Sequence, residues 1–268
     1  MKKLMLSVVI PKLNQVISPG GVLSLTTSMF SEINWDKLAR IGKDRKTEDE
    51  VFDRGTLYSL YKLMEDGELY TLDFPLSTGK EGNVFRGTCG DDLVAVKIYR
   101  ISTATFKHIG KYLPTHGGGF RNRRQLIYAW ARREYSNLGK LWKLGVRVPQ
   151  PRACVNNVVI MEYMGTKSRP APLLHQVALP NPVRVHGRIV RDMGTIYRKA
   201  HMVHADLSEY NVLLDRGMPR IIDVGQMVSV DHPQAEEFLV RDVGNIARYF
   251  GRYFLVDAET VLSQIRGE

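Results

Sequence analysis

Apolar positions recur at helical spacing over residues 47–64, where Val51, Leu57, Leu60, Tyr61 and Met64 mark one face. Thr47 with Glu50 three residues on has the form of a capping box, and Gly55 is a point at which the helix could be interrupted. The period then shortens. Residues 70–76, 83–88 and 93–99 read as β-strands punctuated by Gly79, Gly82, Gly87 and Gly90, which predicts a three-stranded antiparallel meander. Residues 102–122 contain Pro114 and the triplet Gly117, Gly118 and Gly119, the composition of a long functional or mobile loop. Helical spacing returns over 123–144 and stops at Gly145. An apolar strand is expected over 155–161, a proline-rich connection over 165–182 and a second strong helix over 183–201. Short strands at 212–214 and 220–222 flank a turn at Asp215, Arg216, Gly217 and Met218, and one helix or a pair of helices follows from Pro233. Residues 1–30 hold Pro11, Pro19, Gly20 and Gly21 without a sustained period and read as an irregular extension.

Composition narrows the class. The chain has 268 residues, 44% hydrophobic and 25% charged, which allows one large domain or two lobes with a sizeable core. A disulfide-stapled miniprotein and a wholly disordered chain are excluded. Two cysteines, Cys89 and Cys154, supply neither a bridge framework nor a four-cysteine zinc site, which points to a reducing compartment. Pro11 and Lys12 cut short the apolar stretch behind the N-terminal lysines, and no apolar run reaches the roughly 18 residues of a membrane span. The expectation is a soluble cytoplasmic protein without membrane contact. The net charge of +10 is unevenly spread: Lys97 to Arg152 carries thirteen Lys and Arg against the single acid Glu134, a local +12 that leaves −2 for the rest. Such a block, interleaved with Phe120, Tyr128 and Trp130, suits a phosphate-rich partner such as RNA, or it is a solvated helix face.

Four separated motifs carry chemistry. Ser77, Thr78, Gly79, Lys80, Glu81, Gly82, Asn83 and Val84 fall at the turn between the first two expected strands, where backbone N–H groups could cover phosphates, although alone this is also a plain hairpin turn. Val94, Ala95, Val96 and Lys97 match the strand that ends in a phosphate-pairing lysine. Glu134 on the next helix is the natural partner for Lys97, unless it is an ordinary surface pair. His204 to Asn211 matches H-x-D-L-x-x-x-N, in which Asp206 would face the attacking hydroxyl and Asn211 would ligate a metal. Asp223, in Asp223-Val224-Gly225, would supply a carboxylate to magnesium on the β- and γ-phosphates. Taken singly, Asp206 and Asp223 could be caps or turn residues. The order of the motifs is that of protein kinases.

With these residues in place the sequence resembles the RIO family of atypical kinases, in its Rio-one subgroup, whose loop reads S-T-G-K-E-[AG]-N-V. The likeness runs from Ser77 to about Phe254. It takes in residues 203–211, the run Ile222 to Gln226, and Asp231-His232-Pro233 followed by Glu237-Phe238-Leu239. The other main subgroup has an N-terminal winged helix, and residues 1–76 lack that pattern. The resemblance implies an α+β, two-lobed, protein-kinase-like fold: an antiparallel-sheet N-lobe and a mostly helical, truncated C-lobe without the peptide-docking subdomain. It divides the chain into an extension 1–30, a helical segment 31–76, an N-lobe with hinge 77–164 and a C-lobe 165–268. It implies ATP with Mg²⁺ or Mn²⁺, phosphoryl transfer and ATPase activity, with Lys97, Asp206, Asn211 and Asp223 on one triphosphate. It also implies that Asp223 can itself be phosphorylated with Asp206 as base, that backbone groups of Glu162 and Met164 hold adenine, and that the protein acts on precursors of the small ribosomal subunit and their rRNA.

Three departures from ordinary kinases matter. Ser77 replaces the first loop glycine, and Lys80 projects from the turn. Ser208 stands where a lysine usually follows the Asp-Leu pair, which removes a cation near the γ-phosphate and should slow transfer to an external hydroxyl. Only 43 residues follow Gly225, without an A-P-E motif, so an ordinary activation segment is not expected. Two other readings stay open: a nucleotide-gated RNA or pre-ribosome scaffold with little catalysis, and a small-molecule kinase of similar fold, for which the 165–182 connection is short.

Overall fold

The computed structural model describes residues 52–79, 82–101 and 122–268, which form two compact units. The first contains residues 52–101, 122–132 and 152–163 of these, and the second 133–151 and 164–268. The expected extension 1–30, Thr47, Glu50, Lys80, Glu81 and all of the 102–122 loop but Asn122 lie outside the described residues.

In the first unit, helix α1 (Arg54–Glu65) opens on Asp53, whose carboxylate accepts the Thr56 N–H at 2.8 Å. The helix expected over 47–64 thus starts at Arg54, with Phe52 and Asp53 outside it, Gly55 in its first turn and Val51 outside the described residues. Leu57, Leu60, Leu63 and Met64 are at most 4% exposed, each burial contributing about 1.5–3 kcal/mol. They pack with Phe85, Val94, Val96, Ile98, Val158 and Ile160 of a five-stranded sheet. Its strands are β1 (Thr71–Thr78), β2 (Gly82–Cys89), β3 (Asp92–Tyr99), β4 (Pro151–Val155) and β5 (Val158–Glu162), in the order β1-β2-β3-β5-β4. The expected meander is β1-β2-β3, antiparallel throughout.

The single strand expected over 155–161 is two. Asn156 takes φ 53° and turns the chain, a conformation asparagine tolerates. Asn157, fully buried, donates from Nδ2 to Thr56 Oγ1 at 2.8 Å and to the Tyr99 carbonyl at 2.9 Å, so its amide ties the turn to both α1 and β3.

Helix α2 (Arg123–Lys143) begins in the first unit and ends in the second, where Gly145 at φ 76° terminates it. In the second unit, α3 (Pro182–Arg198) starts from an Asn181 cap with Pro182 at its first position. Strands β6 (Met202–Val203) and β9 (Val228–Ser229) pair with each other, and β7 (Val212–Asp215) pairs with β8 (Met218–Ile221). Arg216 and Gly217 both have positive φ at the expected turn. The β6–β9 ladder, two residues a side, is too short to leave a period in the sequence. The C-terminal helices are a pair, α4 (Ala235–Phe250) and α5 (Ala258–Arg266). Arg198 joins α3 to α5 by donating to the Gln264 and Ile265 carbonyls. Under α3, Arg147 Nη2 lies 2.9 Å from Asp192, which is 3% exposed; burial pushes that carboxyl up to about 6 in spite of the guanidinium.

Candidate active site

The first unit sets the β1–β2 hairpin beside a lysine. Ser77 pairs with Val84 and Thr78 with Asn83 across β1 and β2, and the Gly79 N–H donates to the Gly82 carbonyl at 3.0 Å. Ser77 and Thr78 are exposed at the tip. Gly82 is required by packing: a Cβ there would stand 2.5 Å from the Ile98 carbonyl oxygen. Val84 pairs in turn with Lys97 on β3, so loop strand and lysine are direct neighbours. The Lys97 ammonium sits 5.0 Å from the Tyr99 ring centroid. Asn83 is 3% exposed and accepts Arg100 Nη2 at 3.1 Å, an anchoring role at the base of the hairpin. Glu162 closes β5 opposite Val94.

The second unit brings together Asp206, Asn211 and Asp223. The Ile222 N–H donates to the Asn211 carbonyl at 3.0 Å, and His204 Nε2 lies 3.1 Å from the Ile222 carbonyl. These two bonds zip the 204–211 loop to the residue before Asp223. His204 is buried, and desolvation pushes its imidazole pKa down; the neutral ring then donates through Nε2–H. Asn211 Nδ2 donates to the Asp206 carbonyl at 2.8 Å and to its carboxylate at 3.2 Å, which leaves the amide oxygen facing away from both. Burial and the charge of Asp223 raise the Asp206 pKa, against Arg241 and the Asn211 bond. Asp223 sits in the left-handed region at φ 62°, ψ 54°, and its side chain does not cap the 3₁₀ turn Val224–Gln226. Ala205 is also left-handed, at φ 66°. A left-handed residue beside one carboxylate of the pair and another at the second carboxylate itself are a signature of functional backbone.

What holds that strain comes from residues the sequence motifs did not mark. Asp242 on α4 is 1% exposed and accepts the N–H groups of Ala205 at 2.8 Å and Leu207 at 2.9 Å. Arg241 donates to the Ala205 carbonyl, and Asn245 to that of Leu207 at 3.0 Å. The Asp223 side is held from α2: Asn137 donates to the Val224 carbonyl at 2.8 Å, and Arg133 to those of Gly225 and Met227. A signal for Asp242 did exist. It occupies a core position of the α4 period, among Phe238, Leu239, Val243 and Ile246, where an acid needs a reason. Glu134 on α2 is likewise 1% exposed. Met164 is buried, and its carbonyl accepts the Ala171 N–H at 3.0 Å.

Comparison with known proteins names this arrangement. Residues 83–262 match the family described as the RIO domain. A RIO-type serine/threonine-protein kinase Rio1 of Haloferax volcanii is 43% identical over 211 residues, covering 77% of this chain and 72% of the relative. The Rio1 kinase of Methanocaldococcus jannaschii is 34% identical over 244 residues, covering 90% and 83%. A serine/threonine-protein kinase RIO1 of Caenorhabditis elegans is 39% identical, but the chain spans only 42% of that relative's length. Among solved structures, a Rio2 kinase–ADP/Mg²⁺–phosphoaspartate complex from Chaetomium thermophilum superposes with a TM-score of 0.66 at 22% identity, over 87% of this chain and 75% of that one. The fold is thus the α+β kinase-like one, an antiparallel sheet in one unit and mostly helices in the other, and the chain belongs to the RIO family of atypical protein kinases.

Proposed function

We propose that the protein is a serine/threonine kinase that takes the γ-phosphoryl group of ATP through an aspartyl-phosphate on Asp223. The observation that carries this reading is the zipping of the Asp206 and Asp223 segments through Ile222, with Asn211 hydrogen-bonded to Asp206. The donor set fits a hard cation. Asp223 and the Asn211 amide offer oxygen ligands, and among the described residues no group of three or more His, Cys, Asp or Glu is assembled to hold a metal unaided. Mg²⁺ or Mn²⁺ would take its remaining ligands from phosphates and water, and when bound would neutralise charge on the β- and γ-oxygens.

In this reading an Asp223 carboxylate oxygen attacks the γ-phosphorus, the bond to the β–γ bridging oxygen breaks, and ADP leaves. The acyl phosphate then passes to water or a hydroxyl, and Asp206 takes the proton. Burial and the charge of Asp223 raise the pKa of Asp206, which makes its carboxylate a stronger base than an ordinary one. The phosphoaspartate named for the Chaetomium thermophilum complex supports the step. Ser77, Thr78, Gly79, Lys80, Glu81, Gly82, Asn83 and Val84 would form the phosphate loop. Lys97 would pair with the phosphates and with Glu134, whose burial calls for a cationic partner. Adenine would be held by backbone groups of Glu162 and Met164. The Met164 carbonyl already accepts from Ala171, so the N–H is what Met164 has to offer.

We further propose, on the family likeness, a cytoplasmic role in small-ribosomal-subunit maturation, with pre-ribosomal particles as partner. No described helix is long and apolar enough to cross a membrane.

Labelling with γ-phosphate-labelled ATP tests the chemistry. A hydroxylamine-sensitive protein label should form in the wild type, vanish in Asp223→Asn and persist in Asp206→Ala, which keeps nucleotide binding but loses turnover. A hydroxylamine-resistant label, or full turnover in Asp206→Ala, overturns it.

A further inference from the structure

We propose that the outer face of α3 is a binding surface for the sugar-phosphate backbone of RNA. Arg184, Arg188 and Arg191 follow one another at spacings of four and three residues, so they share a stripe about 10 Å long at 1.5 Å rise per residue. Arg184 and Arg191 are exposed and Arg188 is half-buried. None of the three forms an ion pair among the described residues. Arg188 and Arg191 both depress the pKa of the neighbouring cation Arg147, and of the three Arg191 alone also feels the buried carboxylate of Asp192. The one acid of the helix, Asp192, is buried and turned to Arg147.

This placement is costly for the free protein. Like charges three and four residues apart repel, and Arg184 stands in the first turn, at the positive end of the helix dipole, where no acid is present. Gly187 adds a second cost. It lies on the same stripe within the helix, and a Cβ there would meet nothing within 4 Å, so packing does not call for glycine. A ligand that comes close to the helix between Arg184 and Arg191 accounts for both. A row of equal guanidiniums at regular intervals over a bare backbone suits a polymer with a repeating anion; guanidinium also matches phosphate bidentately.

The basic block read from the sequence behaves differently. Arg124 is paired with Asp53, Arg152 with Asp92 and Arg147 with Asp192, while Arg133 and Lys140 donate to backbone carbonyls. The α3 stripe lies outside that block and makes no such bonds. It includes no residue assigned to phosphoryl transfer, so its failure would leave the kinase reading standing.

The test is fluorescence anisotropy of a labelled single-stranded 20-nucleotide RNA with the full chain across a salt series. Arg184→Glu/Arg188→Glu/Arg191→Glu should weaken binding at least tenfold at low salt and flatten the log–log salt slope by about 2, from three phosphates at ~0.7 each. Gly187→Leu, which changes no charge and removes a helix-interior glycine, should raise the melting temperature yet weaken RNA binding. Arg54→Glu/Lys62→Glu/Arg216→Glu, with the same net change on exposed positions elsewhere, should bind RNA within twofold of wild type. ATP binding should be unchanged in all of them. Equal RNA affinity and slope in the α3 triple variant overturns the proposal. So does equal weakening in the control, or α3-dependent binding of polyglutamate or anionic vesicles in preference to RNA.

Discussion

Asp242→Asn should separate positioning from stability. The Asp242 carboxyl is pushed up to about 7 by burial, from an ordinary 3.8, which at about 1.4 kcal/mol per pH unit makes its ionised form about 4 kcal/mol worse off than in water. That figure already includes the bonds from the Ala205 and Leu207 N–H groups, and losing the acceptor altogether would leave two buried donors unpaired at a cost of about 2–6 kcal/mol. The two effects are of one size. Asparagine keeps one acceptor, turns an NH₂ toward the second N–H and removes the buried charge, so the expected net change in stability is within about 2 kcal/mol. Turnover should respond far more. Ala205 is held at φ 66°, a conformation costing about 1–2 kcal/mol, and with one tether gone the loop can relax. Because 1.4 kcal/mol is a factor of ten, phosphoryl transfer should fall about 5- to 30-fold while nucleotide affinity stays close to wild type. Urea midpoints, single-turnover transfer and amide exchange at Leu207 together check it. A loss of more than about 4 kcal/mol with normal transfer per folded molecule would refute the argument, as would unchanged transfer with faster exchange at Leu207.

Three further perturbations read the scaffold. Folded Asp192 keeps its proton to about pH 6 and the unfolded chain releases it near 3.8, so wild-type stability from this group declines as pH rises between those values; in Arg147→Leu the folded pKa climbs further and the decline continues. Urea midpoints should therefore show Arg147→Leu costing about 3–5 kcal/mol at pH 8 and distinctly less at pH 5, and equal costs would contradict the assignment. Gly82→Ala sets a Cβ 2.5 Å from the Ile98 carbonyl; β2 must shift, lowering stability by about 1–3 kcal/mol and ATP affinity with it, as calorimetry and nucleotide titration would record. Asn157→Ala removes the donor to Thr56 and Tyr99, with an expected loss of about 2–4 kcal/mol in urea melts; a loss below 0.5 kcal/mol would mean that α1 does not depend on that amide.

The difference between what was readable and what was not follows from distance along the chain. Hydrophobic period, glycine spacing and local motifs report on residues a few positions apart, so α3, the β1-β2-β3 meander, the β7–β8 turn and the stop at Gly145 could all be read directly. So could the motif order that marks the kinase class, because Lys97 and Asp223 each sit in a short pattern and Asp206 and Asn211 share another. Packing between distant segments leaves no such trace. Asp242 serves a loop some 35 residues away, Arg133 spends its charge on carbonyls more than 90 residues on, and Asn157 reaches back about 100 residues to Thr56. In sequence Arg133 is one more cation in a basic run, and only folding distinguishes it from the arginines of α3. The chain by itself determined which chemistry it could attempt; the tertiary structure decided which polar groups are buried, and burial makes a hydrogen-bond partner obligatory.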